Sequence, residues 1–137
     1  MIGSLSSSSG ITIQYYKDAG TVLAVLDGVL RLHNSDWVRG QLTGLMGLEP
    51  QVLYLHLAKL LEVDSSGLGL LVGLHMTARK KKIEFILLAP GAQQMKLFES
   101  TRLDGVLNLQ MGTAAAEAWE RLVRNEFAFT PPANPGG

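Results

Sequence analysis

Cysteine is absent from the 137 residues, which excludes a disulfide frame, a thiolate nucleophile and any zinc–sulfur site. That absence fits a reducing cytoplasm. Charge is sparse and balanced: 18% of residues are charged, with 12 basic and 12 acidic side chains. A neutral chain lacks the electrostatic footprint expected of a protein that grips nucleic acid or an anionic membrane surface. No apolar run approaches the roughly 18 residues of a membrane-spanning helix. The opening "MIGSLSSSSG" has neither the basic head nor the apolar middle of a signal peptide. The three histidines, His33, His56 and His75, fall in separate segments and match no metal-ligand spacing. No phosphate-cradling loop is present either. "GLGLLVG" (67–73) begins as G-x-G but lacks the third glycine of a dinucleotide fingerprint and the lysine of a Walker motif.

What is present is apolar and periodic. Hydrophobic residues make up 47%, enough for one domain with its own core. The expected boundaries are a flexible lead over 1–10, a single domain over 11–127, and a flexible tail over 128–137. "ITIQYYKD" (11–18) and "TVLAVLDGVL" (21–30) read as strands of a hairpin turning at Ala19-Gly20, with Gly28 as a bulge. Asn34 or Ser35 suits the cap of a helix carrying Trp37, Val38, Leu42, Leu45 and Met46 on its inner side. "QVLYLHL" (51–57) and "KIEFILLAP" (82–90) read as strands covered on both faces. Between them, residues 58–65 are expected as a loop and about 66–81 as a helix. A short helix over 90–100, a brief strand over 105–109 and a clear amphipathic helix over 113–127 follow. The class is α/β: a mixed sheet of four to five strands flanked by about four helices, with ligands or partners met at the loops that follow the parallel strands.

One such loop carries the polar residues that need explaining. In "EVDSSGLGLLVGLHM" (62–76), Asp64, Ser65 and Ser66 stand before an apolar, glycine-spotted helix. Asp and Ser are ordinary helix caps, and capping alone would account for them. The glycines at 67, 69 and 73 would let the helix approach its neighbours closely. A serine nucleophile calls for a G-x-S-x-G elbow with a base and an orienting acid; D-S-S-G-L-G is not that pattern. The basic run "RKKK" (79–82) falls at the helix end, where cations oppose the partial negative charge of the helix C-terminus.

The stretch "VLYLHLAKLLEVDSSGLGLLVGLHMTARKKKIEFILLAPGAQQMKLFESTRLDGVLNL" (52–109) resembles the STAS domain family, whose type members are bacterial anti-sigma factor antagonists. D-S-S-G-L-G after an apolar strand, the following helix and strand, a phenylalanine-containing helix and the Thr-Arg-Leu-Asp turn carry the resemblance. "VLAVLDGVLRL" (22–32) adds the family's Leu-x-Gly-x-Leu strand. The resemblance implies a cytoplasmic, non-catalytic partner switch without cofactor, metal, nucleic acid or membrane insertion. In it the domain binds an anti-sigma factor that is also a serine kinase and so frees a sigma factor for transcription. Phosphorylation of the second serine, matching Ser66, ends that binding, and a phosphatase resets it. The implied partner surface comprises Asp64, Ser65, Ser66, Gly67 and Arg31. A monomer is implied, with pairing through an exposed sheet edge as the alternative. The resemblance departs at one position: Arg31 stands where many phosphorylated members have an aspartate used to engage the kinase. Asp36, five residues on, is the nearest acidic substitute. A cation at 31 would pair with a phosphate. It mildly favours a second reading, a STAS adaptor of a transport or stress-signalling complex that docks without phosphorylation.

Overall fold

The computed structural model describes residues 5–111. Two hairpins start the chain. Strand β1 (Leu5–Ser8) pairs antiparallel with β2 (Ile11–Asp18), and β2 with β3 (Thr21–Leu30). The Ala19-Gly20 turn is as expected, with Ala19 in the left-handed region at φ 53°. The β1 strand corrects the expectation of a flexible lead over 1–10. Ser9 and Gly10 (φ +83°) form a two-residue turn, and the Ser9 carbonyl accepts from Asn34 Nδ2 (2.9 Å). Serine-rich composition hides such a strand, because its pairing is carried by the backbone alone.

Beyond β3 the sheet is parallel. Its order is β1-β2-β3-β4-β6-β7, with β4 at Val52–His56, β6 at Glu84–Leu88 and β7 at Asn108–Gln110. The seventh strand, β5 (Leu60–Val63), pairs with the end of β3, after β4 has paired with its beginning. Among the described residues, seven strands therefore replace the four to five expected. Residues 58–65, expected as a loop, contain β5, and the strand expected over 105–109 begins only at Asn108, after a 3₁₀ turn at Leu103–Gly105. Gly28 is the bulge the sequence suggested: at φ +128° it marks the register shift between the β3 pairings of Gly28 and Val29. A Cβ there would lie 2.2 Å from the Gly10 carbonyl oxygen, so only glycine fits.

Three helices connect the parallel strands: α1 (Leu32–Met46), α2 (Ser65–Lys80) and α3 (Ala92–Ser100). The helix expected over 113–127 and the tail over 128–137 lie outside the described residues. The strand register aligns Val22, Leu53 and Phe85, then Ala24, Leu55 and Leu87, in rows across one sheet face. Those rows pack with Val38, Leu42 and Met46 of α1, Leu71 and Leu74 of α2, and Phe98 of α3. Trp37 is half-buried against this core and Met46 fully buried, as helical spacing suggested. The alternate residues Leu23, Ile86 and Leu88 form a second buried cluster with Tyr16, Val52 and Tyr54. Strands buried on both faces explain the nearly continuous apolar runs.

Candidate functional site

Two parallel strands end side by side, and each passes straight into a helix. Leu30 of β3 is in register with Val63 of β5, so Arg31 and Asp64 are neighbours at the sheet edge. The Asp64 N–H donates to the Leu30 carbonyl (3.1 Å) and fastens the two exits together. Both helices begin there, α1 after Arg31 and α2 after Asp64.

Asp64 serves both helix starts. Its Oδ1 accepts from the Gly67 N–H of α2 (3.0 Å) and its Oδ2 from the Leu32 N–H of α1 (3.0 Å). A helix start leaves such N–H groups without intrahelical partners, and one carboxylate satisfies one from each helix. These bonds hold the Asp64 carboxyl below the usual carboxylate range. The Gly67 N–H contributes most, and the Leu32 and Ser66 N–H groups and the Arg31 charge outweigh partial desolvation.

The other expected residues surround this carboxylate. Ser65 is exposed at the first position of α2, Ser66 is half-buried at the second, and Gly67 is buried at the third. A Cβ on Gly67 would lie 2.7 Å from Val63 Cγ1 and 2.9 Å from Leu30 Cγ, so α2 starts pressed against both strands. Gly69 and Gly73 face open space, and the close approach expected of all three glycines belongs to Gly67 alone. Asn34 or Ser35 was expected to cap α1. The cap is Arg31, and Asn34, one turn in, accepts from the Arg31 N–H through Oδ1 (3.0 Å). Asp36 pairs with Arg39 along α1 (2.6 Å) and does not substitute at the site.

Arg31 reaches back across the strand exits to Glu62 of β5, forming an ion pair whose side chains are 48% and 51% exposed. Glu62 is a site residue that sequence reasoning missed. Alternation within "LLEV" would have hidden it, because burial along β5 runs buried, exposed, exposed, half-buried where the register slips between the Gly28–Leu60 and Val29–Glu62 pairs. Leu61, at 75%, and Leu32, at 73%, are large apolar side chains exposed at this edge. A groove of about 390 Å³ continues from Leu61 and Val63 to Lys96 and Leu97 of α3. Among the described residues, no group of three or more His, Asp or Glu side chains is placed to hold a metal ion. No helix among them is long and apolar enough to cross a membrane.

This arrangement, a capped serine beside an open ion pair and exposed leucines, belongs to a segment that the STAS domain family model matches over residues 12–121. The chain belongs to the STAS family. Solved structures agree on the fold. The STAS chain superposes on an anti-sigma factor antagonist from Mycobacterium paratuberculosis with a TM-score of 0.70 and 19% identity, covering 82% of this chain and 97% of that one. The unphosphorylated form of the anti-sigma factor antagonist SpoIIAA gives 0.63 and 24%, covering 82% and 96%. The Bacillus cell fate determinant SpoIIAA in its phosphorylated form gives 0.59 and 22%, covering 77% and 97%. No curated protein matches the chain at a significant level. Within the STAS fold, Asp64, Ser65, Ser66, Gly67 and Arg31 come together at one sheet edge.

Proposed function

We propose that this STAS domain is a non-catalytic partner switch of the bacterial cytoplasm, docking an anti-sigma factor that is also a serine kinase and released by phosphorylation of Ser66. Through that exchange it regulates sigma-factor-dependent transcription. The supporting observation is the position of Ser66: half-buried in the first turn of α2, two residues after the Asp64 cap, on an edge with Leu32 and Leu61 exposed. Exposed leucines supply the apolar area that a docking partner covers. Phosphorylation joins Ser66 Oγ to the terminal phosphorus of a nucleoside triphosphate. The bond to the diphosphate leaving group breaks, and the hydroxyl proton passes to the kinase. The product carries about −1.5 to −2 charges at neutral pH. The start of a 16-residue helix tolerates that charge, whereas a partner surface shaped for a hydroxyl does not.

The test combines intact-mass analysis with fragment mapping of protein from the native host, and binding measurements on two variants. Phosphate is expected on Ser66. Ser66→Asp is expected to weaken partner binding at least about tenfold, roughly 1.4 kcal/mol, with little change in stability. Ser66→Ala is expected to keep binding and abolish phosphorylation. A Ser66→Asp protein that unfolds would make the serine structural and remove the switch. Absence of phosphate under every growth condition would turn the reading to an adaptor of a transport or stress-signalling complex, docking constitutively.

A further inference from the structure

The Arg31–Glu62 ion pair has no part in capping either helix, yet it lies against the residues that do. Arg31 occupies the cap position of α1, but its side chain leaves the helix and crosses to β5. Its charge acts on the Asp64 carboxylate, which accepts from the Leu32 and Gly67 backbone N–H groups. Arg31 and Asp64 are neighbours at the strand exits and α2 begins directly after Asp64, so the guanidinium, the carboxylate and the start of α2 lie along one edge. With both side chains about half open to water, the ion pair contributes little net stability, and water can replace either partner at small cost.

A phosphoryl group on Ser66, two residues after Asp64 in the first turn of α2, would stand on that edge. It brings up to two negative charges and three acceptor oxygens, against one charge on Glu62. A guanidinium offers a planar fork of donors that suits phosphate in a bidentate mode. We propose that Arg31 is the phosphate-binding residue of this switch, leaving Glu62 to pair with phosphorylated Ser66. The proposal rests on the reading of Ser66 as a phosphorylation site and adds a second consequence to it. Losing Arg31 uncovers the Glu62 carboxylate beside exposed Leu61, so one modification changes charge both at α2 and on β5. A partner docked across this edge then meets an anionic surface where it had met a neutral ion pair and a hydroxyl.

The test uses full-length protein with phosphoserine incorporated at position 66 during translation, and follows the phosphate by ³¹P NMR across a pH titration. The second phosphate pKa is ordinarily about 6, and a bound guanidinium lowers it. Arg31→Met is expected to raise it by about 0.5 unit or more relative to the unsubstituted phosphoprotein, with Arg31→Lys between them. Glu62→Gln, which removes the competing carboxylate and leaves Arg31 in place, is expected to lower it. A phosphate pKa that moves by less than about 0.1 unit in both Arg31→Met and Glu62→Gln overturns the proposal. Because the phosphate is installed without a kinase, the two readings fail separately. A shifted pKa with no phosphate in the native host sinks the switch but keeps the clamp. Native phosphate with an unmoved pKa does the reverse.

Discussion

At the scale of single residues, the site depends on how closely α2 begins against the strands, and Gly67 sets that distance. An alanine Cβ at 67 would meet Val63 Cγ1 at 2.7 Å, Leu30 Cγ at 2.9 Å and the Leu30 carbonyl oxygen at 3.1 Å. The side chains can turn aside; the Leu30 carbonyl cannot, because it accepts from the Asp64 N–H. Alanine favours helix over glycine by about 1 kcal/mol, whereas overpacking a tight site costs about 1–3 kcal/mol. Gly67→Ala is therefore expected to destabilise by up to about 2 kcal/mol net. At Gly69 nothing lies within 4 Å of the added Cβ, so Gly69→Ala is expected to stabilise by up to about 1 kcal/mol. Urea unfolding of the two variants checks the pair: midpoints should move in opposite directions with unchanged slopes. A shift of the same sign in both would mean that backbone propensity, and not the contact with Leu30 and Val63, governs position 67. The sequence marks both glycines alike. Only β3 and β5, lying against the start of α2, separate them.

Among the elements, those with a repeating side-chain pattern were legible and those defined by backbone pairing were not. The β2–β3 hairpin, β4, β6 and the start of α2 follow directly from their apolar runs, the Ala19-Gly20 turn and Asp64. β5 has only four residues and was read as loop, and with it the Arg31–Glu62 pair stayed hidden. The five candidate site residues were picked out by composition and resemblance; their geometry depends on β5 being a strand. α3 is tied to that strand by one buried side chain. Gln94 Nε2 donates to the Leu60 carbonyl (2.5 Å), and Gln94 Oε1 accepts from the Gly91 N–H (3.0 Å). Gln94→Met keeps the approximate bulk but leaves the Leu60 carbonyl and the Gly91 N–H without these partners, a loss expected to cost about 1–3 kcal/mol. Amide hydrogen exchange is the informative measurement. Residues 95–101 of α3 and its end should lose protection beyond the global change, and the β3–β4 ladder should follow the global change only. Uniform loss everywhere would show that α3 and β5 open only with the whole domain.

For the whole molecule, zero formal charge at neutral pH conceals shifted groups, and among the described residues His56 and Asp64 divide the acid response. His56 lies in β4 with both strand faces covered, and its pKa is lowered from 6.5, chiefly by burial, with the Lys59 charge adding to it. As pH falls below about 6.5, the unfolded chain takes up this proton before the folded one does. Stability tied to His56 is thus complete above 6.5 and is lost as pH drops toward the folded pKa. Asp64 is depressed below 3.8, chiefly by the Gly67 N–H, so its contribution is present above that value and is lost as pH falls through the folded pKa. Two separate declines are expected on acidification, and each has its own variant. Urea unfolding between pH 7.5 and 5 should show a flatter stability profile in His56→Gln, while Asp64→Asn should flatten only the decline below about pH 4. If His56→Gln leaves the upper decline intact, other groups carry it and β4 tolerates a charged imidazole.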